Sequence, residues 1–478
     1  MAAPCDKSFS NSYLLLRPED VGLVDLFRIL FSTNLEQRKF VDSSHDTEES
    51  FNQRWIIFIS IIVQKLLLSM AKPMAWVGST IELWLNLVRI NGGSLGSLLL
   101  NFIRGNAVMP DKTSADFLSL IGNIDRRMDF DKKNRPGDEK YYAHLALMSS
   151  KASYENEAFL KYKVTDIWKM EFFGFYDFWN DYQEKATTQG FMLRDKNLHG
   201  DTIVVAFRGT EPFDSDSWCS DFDISWYELP GMGRMHGGFM KALGLQRNLG
   251  WPKESPAESD TPRTSHPPTA YYFIREKLRS LLQEDSHSRY IVTGHSLGGA
   301  LAVLFPAILS LHEENELLDR LEGVYTFGQP RVGDGAFGKF MQKVMSDHKI
   351  EYHRFVYGND IVPRLPYDNS SFLFKHFWKC RYYDSHYGEQ ILPEEPNKNY
   401  FSLRSALPMM VTAIYELMRS FTIVSMKGPE YRESTVLRIL RVIGLLVPGI
   451  PAHSLMDYNN SIRLGLAYRD ITIKEKDS

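Results

Sequence analysis

Tyr290-Ile291-Val292-Thr293-Gly294-His295-Ser296-Leu297-Gly298-Gly299-Ala300-Leu301-Ala302 is the stretch that decides the fold. Tyr290 to Thr293 reads as a short buried strand, and the small residues Gly298, Gly299, Ala300 and Ala302 let a helix pack closely behind it. Between them lies G-x-S-x-G, the pattern of a nucleophile elbow, in which a strained strand-to-helix turn exposes a serine hydroxyl at the sheet edge. The same five-letter pattern occurs at Gly92-Gly93-Ser94-Leu95-Gly96. An amphipathic helix precedes Ser94 where a strand is required, so Ser94 is assigned to a Gly/Ser loop and Ser296 is the candidate nucleophile.

Working outward, short apolar runs recur at Thr202–Phe207, Val324–Phe327 and Tyr352–Val356, with helical stretches at Tyr271–Leu282 and Leu297–Leu311. Strands alternating with helices predict an α/β fold with a largely parallel central sheet. Tyr141 to Thr165 reads as helix, and the catalytic domain is expected to occupy 141–478, leaving 1–140 as an N-terminal extension. Trp251 to Ala270 holds five prolines among Ser, Thr and Glu and reads as a surface loop.

A serine hydroxyl needs a hydrogen-bonded base, itself oriented by a carboxylate, and in this fold class the acid and then the histidine follow the serine. Asp360 comes directly after the strand at Tyr352–Val356, where an orienting acid belongs. Downstream of it stand His376, in an aromatic run; His386, in an expected hairpin; and His453, on a Pro/Gly turn before a terminal helix. Sequence logic alone favours His453 only modestly.

The chain has 478 residues, with 55 Lys+Arg against 59 Asp+Glu, a net charge of −4 that provides no footprint for nucleic acid. Cys5, Cys219 and Cys380 are too few for a disulfide framework and fit a reducing compartment. The first 30 residues lack the apolar core of a signal peptide and are too acidic for a transit peptide. Trp55 to Ala71 is polar only at Ser60, Gln64, Lys65 and Ser69, at the lower length limit for a membrane span. Pro73 is expected to break this helix, and Glu82, Asn86 and Arg89 then mark the polar side of an amphipathic helix. An apolar hairpin or pair of interfacial helices over about 55–104 is expected, with a second apolar helical region near 403–446.

Five motifs carry a resemblance. Phe207-Arg208-Gly209-Thr210, His236-Gly237-Gly238-Phe239, Thr293 to Ala300, Gly328-Gln329-Pro330-Arg331-Val332-Gly333-Asp334 and Asn359-Asp360-Ile361-Val362-Pro363-Arg364-Leu365-Pro366 stand in the order of the class 3 (fungal-type) lipases. Within that family the chain resembles the plant oil body triacylglycerol lipases. The resemblance implies an α/β-hydrolase fold with Ser296 as nucleophile, Asp360 as orienting acid and His453 as general base. It also implies an oxyanion hole from the N–H groups of Thr210 and Leu297, with the Thr210 hydroxyl as a further donor. A lid is expected near 211–223, with Trp218 and Phe222 turned to lipid, and the N-terminal region resembles a membrane-associating arm. The separation of 93 positions from Asp360 to His453 exceeds the compact secreted pattern because the 403–446 region is inserted.

The expected function is hydrolysis of triacylglycerol and related acylglycerols at a cytosol-facing lipid-droplet surface, or at the endoplasmic reticulum membrane, without metal or organic cofactor. A phospholipase or galactolipase A1 uses the same triad, and a non-catalytic lipid-surface scaffold is the alternative of another class.

Overall fold

A nine-stranded sheet follows chain order from one edge to the other. Its strands are β1 (Glu171–Asn180), β2 (Lys185–Asp195), β3 (Thr202–Phe207), β4 (Arg289–His295), β5 (Leu321–Phe327), β6 (Glu351–Tyr357), β7 (Cys380–Tyr383), β8 (Gly388–Leu392) and β9 (Leu466–Ala467). β3 through β7 pair in parallel. β1, β2 and β3 pair antiparallel, as do β7 and β8. This computed structural model describes residues 9–467 apart from 23–25, 27–28, 32–39, 45–50, 131–139, 197–200, 248, 255–265, 367, 369–373, 399 and 401–402. Much of the expected Trp251–Ala270 loop thus lies outside the described residues.

Around the sheet run α1 (Phe51–Ile90), α2 (Tyr141–Ala152), α3 (Ser215–Phe222), α4 (Ala270–Glu284), α5 (Leu297–Leu311), α6 (Gly335–Asp347), α7 (Leu403–Lys427), α8 (Thr435–Ile443) and α9 (Leu455–Leu464), with shorter helical turns between them. The run Thr202–Phe207 is apolar almost throughout because both faces of β3 are covered. Ile203, Val205 and Phe207 pack with α4 and α5, and Val204 and Ala206 pack with α2 and α9. The α/β-hydrolase architecture expected from the sequence is the one present, with its strands and helices at Thr202–Phe207, Tyr290–Thr293 and Leu297–Leu311 in place. The helix expected over Tyr141–Thr165 is interrupted. α2 stops at Ala152, and Asn156 starts a new short helix by accepting from the Phe159 N–H at 2.8 Å.

A second, six-stranded sheet lies alongside. In it Ser12–Leu16 pairs antiparallel with Trp226–Leu229 on one side and Val41–Ser43 on the other, so the segments before and after residue 140 share a sheet.

α1 corrects the expected break at Pro73: the helix runs unbroken for 40 residues with the proline inside it. Proline removes one intrahelical bond and frees the carbonyl four residues back, on Ser69, and both residues sit on an exposed stretch where that loss strands no buried group. The polarity of α1 is inverted relative to a water-facing helix. Ser60 and Gln64 are buried, and the Lys65 ammonium donates to the carbonyls of Pro18 at 3.1 Å and Val21 at 2.8 Å. Asn86 Oδ1 accepts from the Leu118 N–H at 3.0 Å, while Trp55, Leu66, Trp76 and Trp84 are exposed. By length and composition both Arg54–Ile90 and Ser405–Lys427 are able to cross a membrane.

Candidate active site

β4 ends at His295 and α5 begins at Leu297, leaving Ser296 alone in the turn with φ 57° and ψ −129°. A positive φ on a residue with a side chain is strained. Close packing around the turn over-determines it: a Cβ on Gly298 would lie 2.3 Å from the Phe207 carbonyl oxygen, so only glycine lets α5 approach β3. The Ser296 N–H donates to the Phe327 carbonyl at 2.9 Å. Ser94, by contrast, caps the short helix Leu95–Ile103, accepting from the Ser97 N–H, and is no elbow.

Asp360 follows β6 and is fully buried, with three donors on its carboxylate. The Tyr458 hydroxyl donates to Oδ2 at 2.6 Å, the Val362 N–H to Oδ1 at 2.9 Å, and His453 Nδ1 lies 2.8 Å from Oδ2 and 3.0 Å from Oδ1. His453 sits just after the helical turn Gly449–Ala452. Its ring passes so close to Gly328 that a Cβ there would be 2.9 Å from Nδ1. Ser296 and His453 thus both lie against the Phe327–Gly328 link. With Nδ1 directed at Asp360, Nε2 is the ring nitrogen that the acid does not engage.

The other downstream histidines do not reach this acid. His376 is buried with Nε2 2.7 Å from the Pro363 carbonyl, and burial beside Arg354 pushes it down to about 3. His386 lies in the β7–β8 turn with its ring against Tyr415.

Sequence reading missed a brace behind His453. The His295 ring stacks on it at 4.4 Å between centroids, and His295 Nε2 lies 3.1 Å from the His453 carbonyl. A carbonyl only accepts, so Nε2 carries the proton and Nδ1 accepts from the Tyr154 hydroxyl at 2.8 Å. Burial and the neighbouring His453 hold His295 well below the usual imidazole range, in keeping with this neutral form. Tyr458, five residues after His453, and Tyr154 had no motif to mark them.

Gly209 brings the Thr210 end of β3 to the elbow: a Cβ on it would be 3.2 Å from Ser296 Cβ. Leu297 N–H opens α5 beside the serine. The Thr210 hydroxyl, expected as a further donor to the substrate, instead donates to Asp221 Oδ2 at 2.7 Å. Asp221 belongs to α3, inside the expected lid. Burial pushes its carboxyl up to about 7 against the opposing pull of the Thr210 hydrogen bond and of His453. On α3 Phe222 is exposed and stacks with a half-buried Trp218 at 6.0 Å. α3 packs on α1: Cys219 Sγ reaches the Gln64 carbonyl at 3.8 Å, and a Cβ on Gly78 would collide with the Phe213 side chain.

Residues 204–370 match the family model "Lipase (class 3)". The chain is 44% identical to the Nicotiana tabacum "Triacylglycerol lipase OBL1" over 87% of this chain and 84% of that one. It is 40% identical to the Arabidopsis thaliana protein of the same name over 95% of both. Among solved structures, the native Rhizomucor miehei lipase propeptide complex covers 57% of this chain and 78% of its own at 22% identity and a TM-score of 0.38. Relatives of that identity and coverage settle the family: the chain belongs to the class 3 lipases and is a carboxylic ester hydrolase.

Proposed function

We propose that the chain is a triacylglycerol lipase working at a lipid-droplet surface, with Ser296, Asp360 and His453 as its catalytic triad. The observation that carries this is the 2.8 Å contact from Asp360 to His453 Nδ1, which leaves Nε2 as the ring nitrogen available to Ser296 on its strained elbow. Ser296 Oγ bonds to the acyl carbon while its proton passes to His453 Nε2. The C–O bond to glycerol then breaks, and the departing oxygen takes that proton. Water repeats the sequence, releasing the fatty acid and restoring the serine.

The backbone N–H groups of Leu297 and Thr210 are the oxyanion donors in this reading, each worth about 2.7–4 kcal/mol in the transition state. Asp360 orients the imidazole and stabilises its charged form. Triacylglycerol as substrate draws support from the names of the tobacco and Arabidopsis relatives. The droplet surface draws support from α1, where Ser60, Gln64 and Lys65 turn inward while Trp55, Leu66, Trp76 and Trp84 are exposed. In this reading residues 1–140 form the lipid-associating arm, 141–478 the hydrolase domain and 211–223 its lid.

Ser296→Ala in the purified full-length protein is expected to abolish release of long-chain fatty acid from triolein emulsions while circular dichroism and droplet flotation stay unchanged. Retained hydrolysis would remove Ser296 from the mechanism.

A further inference from the structure

α7 is built inside out. Leu407, Val411, Ile414, Met418 and Phe421 recur at spacings of four and three, form one stripe and are exposed, Leu407 to 73%. The opposite, buried side carries Glu416, Arg419 and Ser420 beside Met409, Ala413 and Ile423. Arg419 Nη2 donates to Asp457 at 2.8 Å, and Arg441 of α8 bridges Glu433 at 2.6 Å and Asp457 at 3.0 Å. A helix that faces water on its outer side has the reverse arrangement.

Two hydroxyls flank the stripe and are satisfied within the helix. Thr412 and Thr422, beside it, fold their hydroxyls back onto helix carbonyls, at 3.0 Å to Pro408 and 3.4 Å to Met418. That internal satisfaction is what hydrocarbon demands of a hydroxyl. A protein partner would instead be met by about one hydrogen bond per 100–200 Å². The apolar surface continues onto α8 through Ile439 and Val442, then through Leu446, 85% exposed, to Ile450, three residues before His453.

We propose that the outer face of α7 and α8 is a second lipid-embedding surface, separate from α1, that sinks into the acyl layer and sets the mouth of the Ser296 site on it. The inference rests on the lipid-surface reading above and adds to it the element that fixes orientation. Apolar side chains running up to the catalytic histidine give acyl chains a dry route from the lipid phase to the serine.

The test uses the full-length protein and triolein droplets coated with phosphatidylcholine. Val411→Asp/Met418→Asp alters exposed positions only, and Ile439→Asp on α8 is an independent second variant. Each is expected to reduce flotation with droplets by about tenfold or more, since a carboxylate in the acyl layer is costly. Triolein hydrolysis should fall in step, with kcat/KM on a soluble short-chain p-nitrophenyl ester staying within about twofold. Undiminished flotation of both variants, alongside a wild type that floats, would overturn this inference and leave the lipid-surface reading standing. A wild type that does not float would overturn both. Loss of self-association in lipid-free sedimentation, with flotation intact, would assign the face to a second copy of the chain and also overturn it.

Discussion

The Ser60 hydroxyl donates a 2.6 Å hydrogen bond to the backbone carbonyl of Phe222, joining the long apolar helix α1 to the last residue of α3. The element proposed to enter lipid and the element proposed to guard the serine are thus in direct contact.

Ser60→Ala removes that bond, worth about 1 kcal/mol in net terms. Undocking of α3 should then be favoured by roughly fivefold. Hydrogen exchange at the amides of 215–222 is the measurement, and those amides are expected to exchange faster by that factor while the amides of α5 do not change.

The position of α3 should depend on pH through Asp221. Its carboxyl is raised to about 7 by burial when docked, so docking takes up a proton. Docking is therefore strongest below the unburied value near 4, weakens as pH climbs towards 7 and is level above that. Exchange at 215–222, corrected for the intrinsic rate, should rise by up to about tenfold per pH unit between pH 5 and 7. Asp221→Asn, which still accepts from Thr210, should flatten the profile.

Tyr458→Phe deletes the donor to Asp360 Oδ2 and leaves the ring in place. Hydrogen bonds to charged groups are worth about 1.5–3 kcal/mol, so kcat/KM on a soluble ester should fall roughly ten- to hundredfold. Unchanged kinetics would show that the Val362 N–H and His453 hold the carboxylate unaided.

Arg441→Met leaves Glu433 and Asp457 buried without their shared cation. Breaking a buried ion pair from one side costs about 3–5 kcal/mol, which urea unfolding of the variant would register. Adding Glu433→Leu should recover part of the loss.

The hydrolase core was legible because its signals are local. A strand, a strained turn and small residues behind it define the elbow within a dozen positions, and Asp360 announces itself at a strand end. His453 needed the family resemblance, since three histidines follow the acid and only folding shows which one meets it. The helical period of α1 and α7 was also legible, but not its sense: a stripe every three or four residues gives two faces and does not say which one meets water. That was decided by distant partners, such as Pro18 and Val21 for Lys65 and Asp457 for Arg419. Tyr154, Asp221 and Tyr458 were invisible for the same reason, because each acts through a neighbour far away in sequence.

The pairing of Ser12–Leu16 with Trp226–Leu229 has a consequence for synthesis. Ser12 leaves the ribosome 216 residues ahead of Glu228, its partner across the ladder. At about 5–20 residues per second that is a wait of roughly 10–40 s. For more than half of that interval α1, complete at Ile90, exists without α3, the helix it packs against, which begins only at Ser215. The order of translation offers the apolar helix to a lipid surface before it offers it to the rest of the enzyme.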